Sequence, residues 1–421
     1  MYRETAEELL KFIEKSPSPF HAVETMKEEL LSEGYEEVKE TEKWSLNKGG
    51  KYFVSRNGSS LIAFSLPQEL KGFRIMASHS DSPTFKIKEN PEMEADKKYV
   101  KLNVERYGGM LCAPWFDRPL SVAGRVIVKE QGRFREKLVN VDRDLVMIPN
   151  LAIHMNRQVN DGYKYNAQVD MLPLYGGIDA KGTFMKVISE NAGVKEEDIL
   201  GHDLFLYNRV KGSIWGAEEE FISSGRLDDL QCAFSSLKGF LKGEKNKYAA
   251  LHCVLDNEEV GSGTKQGAAS TFLYDTLQRI ILALGLNFED YLTALANSFM
   301  ISGDNAHAIH PNHMDMADPV NRPYLNEGIV IKHNANQKYC TDGVSAAMFK
   351  DLCREAGVPF QNFTNRSDIL GGSTLGNISN TQVALNTVDI GLPQLAMHSP
   401  YETAGIKDTW YLIQAAEKFF C

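Results

Sequence analysis

The chain has 421 residues, several times what a single core of ~100–150 residues needs, which points to more than one domain. Its 46 Lys and Arg stand against 56 Asp and Glu, a net charge of −10, and 43% of the residues are hydrophobic. That composition excludes a disordered chain, and the acidic balance argues against nucleic acid, which needs a basic stripe. Any acidic ligand would have to be met by a local cation.

The N-terminal MYRETAEELLKFIEK is charged from its third residue, and no run approaches the ~20 apolar residues of a membrane span. Neither a secretory signal nor a membrane partner is expected. The six cysteines at 112, 232, 253, 340, 353 and 421 form no C-x-x-C pair. They read as reduced thiols of a cytoplasmic protein.

In chain order, 4–15 and 22–33 have the spacing of amphipathic helices, separated by the turn-forming SPSPF at 16–20. Strand-like runs follow at 51–56, 60–66 and 73–78, the last delivering His79 to its end. From about 90 to 220 the chain is richer in β-runs (99–105, 121–129, 137–141) and reads as an insertion. Helix and strand then alternate: 226–241, 248–256, 271–285, 297–304, 343–357, 358–364 and the terminal helix 409–420. The pattern predicts an α/β fold: a mostly parallel sheet formed by 1–90 and 221–421, interrupted by a β-rich domain over 91–220. Such sheets carry their sites at the C-terminal ends of strands.

Those ends share one chemistry. They offer His79 with Asp81, Asp228 in RLDDL, Glu258 and Glu259 in DNEEVGSG, Asp304 in SGDNAH, and His398 in LAMHSP. Imidazole and carboxylate suit Zn²⁺, and two ions need about five protein ligands with one carboxylate shared. The adjacent glutamates leave the strand in different directions, so one can ligate while the other acts as general base. Asp81 is placed to accept the second imidazole N–H of His79. Each feature also has a plainer explanation: a hydrogen-bonded histidine, an Asp228 that favours a helix N-terminus, a solvated Glu–Glu turn. HAIHPNH at 307–313 resembles a metal cluster, but Pro311 breaks any helix that would align its three histidines. VGSGTKQG at 260–267 has its last glycine one residue late for a dinucleotide loop, and LGGSTLG at 370–376 is not a serine-nucleophile elbow.

Taken together, SPSPFHAV, MASHSDSPTFKIK, IPNLAIH, RLDDL, DNEEVGS, SGDNAHAIHPN, GIVIKHNANQKY, GGSTLGNI and LAMHSPYETAG resemble the M18 metallo-aminopeptidases, the aspartyl aminopeptidase family, nearly end to end. The resemblance implies a zinc-peptidase domain interrupted by a dimerisation domain, with dimers assembling into a tetrahedral homododecamer. It implies that His79, Asp228 and Asp304 hold one zinc, and that Asp228, Glu259 and His398 hold the second. The neighbouring Asp229 leaves open which carboxylate bridges, and another divalent metal would suit the same ligands. Glu258 matches the general base, and His154 a histidine that reaches a neighbouring subunit's site. Lys332, His307 and Tyr339 match the pocket for the first side chain, which leans toward Asp or Glu. The expected activity is hydrolysis of the first peptide bond of substrates with a free N-terminus. The rivals are another binuclear hydrolase, which would need a cation for a C-terminal carboxylate, and a non-catalytic assembly protein, which should lack Glu258 or a ligand.

Overall fold

The computed structural model describes residues 1–243 and 247–421. The chain divides into two compact units, one of residues 1–81, 212–397 and 402–421, the other of 82–211 and 398–401. Both divisions fall nine residues before the expected 90 and 220, because the strand Thr84–Ala95 already belongs to the sheet of the second unit and the strand Ser213–Trp215 to a sheet of the first. Residues 398–401 also group with that unit.

The first unit is built on nine strands. Their order is 36–37, 51–56, 60–65, 249–255, 73–79, 299–303, 386–391, 329–333, 360–364. Five of the eight neighbouring pairs are parallel, and three are antiparallel. The central strands are almost wholly buried and largely apolar because both faces are covered. Along Phe299–Gly303, Phe299 and Ile301 enter one core and Met300 the other. The first core is closed by helices that include Tyr2–Lys15, Leu227–Lys242 and Asp408–Phe419, the second by Phe272–Ala283 and Phe288–Ala296.

Local chemistry starts and stops these helices. Pro19 opens Pro19–Ser32 behind an extended Ser18. Asp342 and Ser345 form a capping box at the start of Gly343–Ala356, and Gly357, at φ +66, ends it. Leu227–Lys242 is less regular than its sequence suggests. Asp228 (φ −82, ψ 108) and Asp229 (φ −119, ψ 21) are not helical, and the peptide between them is cis. A smaller five-stranded sheet, 213–215, 221–224, 402–405, 393–395, 306–307, completes the unit.

The second unit is a six-stranded antiparallel sheet in the order 133–140, 120–130, 199–208, 84–95, 99–107, 174–177. Its core packs Phe85, Val122 and Leu204 with Trp115 and with Phe184 and Ile188 of the helix Phe184–Ala192. Among the described residues no helix is long and apolar enough to cross a membrane. All six cysteines are free thiols.

Candidate metal centre

Three neighbouring parallel strands, 249–255, 73–79 and 299–303, end on the same edge of the large sheet. Their exits carry Glu258 and Glu259, His79, and Asp304 respectively, which is why residues so distant in sequence converge. Ligand atoms of His79, Asp228, Asp229 and Asp304 lie within 4.8 Å of one another, and so do those of His79, Glu258 and Glu259. Asp228 and Glu259 also approach within that distance. His79, Asp228, Asp229 and Asp304 are buried, while Glu258 and Glu259 are half-buried.

Hydrogen bonds orient these groups. His79 Nε2 is 3.5 Å from Asp228 Oδ1. Its Nδ1 donates to the main-chain carbonyl of Asp81 at 3.0 Å, with the Asp81 carboxylate farther off at 3.4 Å. The nearer acceptor for this ring nitrogen is thus the Asp81 carbonyl, with the carboxylate also close to it. The Asp81 carboxylate also accepts the amides of Glu258 (3.1 Å) and Glu259 (3.2 Å), holding the turn that presents both glutamates. The His79 amide donates to Asp229 Oδ2 at 3.2 Å, and the Asp228 amide to Glu402 Oε2 at 3.0 Å.

The electrostatics call for a cation. Burial first, then the charge of Asp304, pushes the Glu258 carboxyl up to about 8. Burial and Asp228 raise Glu259 well above the usual carboxylate range, and burial also raises Asp229 and Asp304. Burial works to neutralise the His79 ring, but the charge of Asp229 and bonds to Asp228 and Asp81 hold its pKa well above the ordinary value. A dication among these groups stabilises every ionised carboxylate at once and takes the place of the imidazole proton. Oxygen and imidazole donors in this number fit Zn²⁺.

The other candidates are placed as follows. Lys332, near the end of Ile329–His333, is buried, with Nζ 3.5 Å from Asp304 Oδ1 and 5.5 Å from the centre of the Tyr339 ring. It is not an exposed strand-end lysine. Burial opposes its charge, and Asp304 foremost outweighs that and keeps the ammonium above its usual range. Tyr339 is buried beside Phe363, and His307 is exposed with its ring edge-on to the same Phe363. The histidines of 307–313 form no three-ligand group among the described residues, although the His310 and His313 rings are 5.0 Å apart. In the second unit, His154 is exposed on the short turn Ile153–Met155. His398 is half-buried at φ +67, and its carbonyl accepts the Leu111 amide at 3.1 Å.

The family model of the aminopeptidase I zinc metalloproteases (M18) matches residues 12–420. The chain belongs to the M18 family. As an M18 protein it is a metallo-aminopeptidase, a zinc-dependent hydrolase. It is 51% identical to a probable M18 family aminopeptidase 2 of Clostridium acetobutylicum, over 99% of this chain and 98% of that one. A cryo-EM structure of the Ape4 and Nbr1 complex contains a chain with TM-score 0.95 and 36% identity, covering 100% of this chain and 86% of that one. The mApe1 dodecamer of S. cerevisiae matches with TM-score 0.87 and 28% identity, covering 100% and 97%.

Two residues that support the centre had not been singled out as such from sequence. Glu402, buried in the strand Glu402–Gly405, holds the Asp228 amide, and Asp229, read only as an alternative bridge, holds the His79 amide.

Proposed function

We propose that this M18 protein removes N-terminal residues from peptides at a two-zinc centre in which Asp228 is shared. His79 and Asp304 complete the ligands of one ion, Glu259 and His398 those of the other. The observation that carries the reading is the proximity of Asp228 both to the His79–Asp304 group and to Glu259. Zinc bound there supplies Lewis acidity, polarising the scissile carbonyl and making water a competent nucleophile near neutral pH.

The chain's own groups do the rest. Glu258 accepts the proton of the attacking water and passes it to the leaving amine. Asp81 keeps Glu258 and Glu259 in register through their amides. The surrounding carboxylates draw a free α-amine, which favours cleavage at the N-terminus. Once Asp304 is committed to a metal, Lys332 is the buried cation open to the first side chain, with Tyr339 and His307 beside it. That arrangement supports a preference for Asp or Glu.

The inserted unit is proposed as a dimerisation domain. The dodecamer of the similar mApe1 supports a dodecameric assembly for this chain too. His154 would then stabilise the developing oxyanion in a neighbouring copy's site. It stands among the exposed apolar residues Leu151, Ile153 and Met155, a surface suited to being covered by protein.

The test is a peptide panel with Asp, Glu, Leu or Lys at the N-terminus, each free and acetylated. The free acidic peptides should be cleaved fastest and the acetylated ones not at all. Equal cleavage of acetylated peptides would contradict an aminopeptidase that recognises the α-amine.

A further inference from the structure

We propose that Asn305 is a positioning residue that sets the separation of Asp228 and Asp304, and thereby the capacity of the centre to take up metal. The proposal rests on the ligand assignment above. Asn305 is 1% exposed and directly follows Asp304. Its Nδ2 donates to the main-chain carbonyl of Leu227 at 3.1 Å. The same nitrogen lies 3.1 Å from Gln231 Oε1 and 3.2 Å from Gln394 Oε1, and Oδ1 accepts the Cys232 thiol at 3.2 Å. Three acceptors around two amide protons hold the group from separate directions.

The Leu227 carbonyl belongs to the peptide unit whose N–H is that of Asp228. That N–H donates to Glu402. The peptide plane leading into the proposed shared ligand is therefore gripped at both polar ends, by Asn305 at its oxygen and Glu402 at its nitrogen. Such a grip is needed because Asp228 lies outside helical geometry and the helix does not fix it. Asp304 is fixed as closely from its other side. Its amide donates to the Ile390 carbonyl at 3.0 Å, and a Cβ at Gly391 would stand 2.1 Å from its carbonyl oxygen. One buried amide thus links the backbone of two carboxylate ligands that are 76 residues apart in sequence (304 less 228).

The test uses the full-length protein as Asn305→Leu, which keeps the branched shape and heavy-atom count and removes the hydrogen bonds, with Gln394→Leu as the control that leaves the Leu227 bond intact. Zinc affinity is read by chelator competition, and melting temperature is read in EDTA and in saturating zinc. Asn305→Leu should weaken zinc binding by ~10–100-fold, the usual scale for groups that support ligands, and shrink the zinc-induced rise in melting temperature. Gln394→Leu, which removes one hold on Asn305 but not the Leu227 bond, should weaken affinity far less than Asn305→Leu. If Asn305→Leu fails to fold, Asn305→Ser, too short to reach Leu227, takes its place with the same expectation. Equal loss of melting temperature with and without zinc, at unchanged affinity, would overturn the proposal. Failure of the unmutated protein to bind zinc would instead remove the ligand assignment, and the proposal with it.

Discussion

The ring of His79 is oriented by the main-chain carbonyl of Asp81, while the carboxylate of the same Asp81 accepts the amides of Glu258 and Glu259. One residue thus serves the imidazole with its backbone and the glutamate turn with its side chain. Mutation of the side chain acts mainly on the glutamate turn, because the carbonyl is the nearer acceptor of the ring N–H. Asp81→Asn keeps the carbonyl and removes one of the two carboxylate oxygens that accept an amide. Zinc content should stay close to that of the unmutated protein while kcat falls on the order of 10–100-fold. Metal analysis beside steady-state kinetics checks this, and loss of metal at unchanged kcat per bound ion would contradict it.

Lys332 provides a test of selectivity. It is buried beside Asp304, and a hydrogen bond to a charged group contributes about 1.5–3 kcal/mol. Lys332→Met should therefore reduce kcat/KM for peptides beginning with Asp or Glu by ~10–100-fold. Peptides beginning with Leu should lose much less, and a uniform loss would assign Lys332 to the centre rather than to the first side chain.

Stability should also fall as pH falls, through a buried and a half-buried histidine that are not among the proposed metal ligands. Burial lowers His252 from 6.5 to about 3, and burial with the Arg226 charge lowers His21 to about 4. A histidine depressed on folding binds its proton more tightly in the unfolded chain. Its contribution is complete above the unfolded value of ~6.5 and is lost as pH falls toward the folded value. Melting temperature should drop between pH 7.5 and 5, and His252→Gln, compared at equal zinc, should flatten that drop. An unchanged slope would exclude His252 as a source.

How much of this was open to the sequence follows from which interactions are local. His79, Asp304 and the Glu258–Glu259 pair stood out because each follows an apolar run that could be read as a strand. The central strand Asn386–Gly391 did not, since its run NTVDIG is short and broken by the buried Asp389. Asp228 was legible as a candidate, but its departure from the helix was not, because apolar periodicity continues through it. The roles of Asn305, Glu402 and the Asp81 carboxylate depend on partners 78, 174 and 177 residues away. No spacing rule carries such information. Lys332 was marked by the family resemblance, but its burial against Asp304 was not readable from the sequence.

Metal removal gives a broader check. A ligand that binds only the folded state stabilises it by about 4 kcal/mol at a thousand times its Kd. Chelation should lower the melting temperature and zinc should restore it, with Asp228→Asn showing the smallest recovery because it serves both proposed ions.

The shared carboxylate is most directly tested by anomalous diffraction at the zinc edge from crystals of the loaded protein. Two peaks per chain are expected, with Asp228 contacting both, His79 and Asp304 on one, Glu259 and His398 on the other. A single peak, or two peaks joined through Asp229 in place of Asp228, would contradict the account.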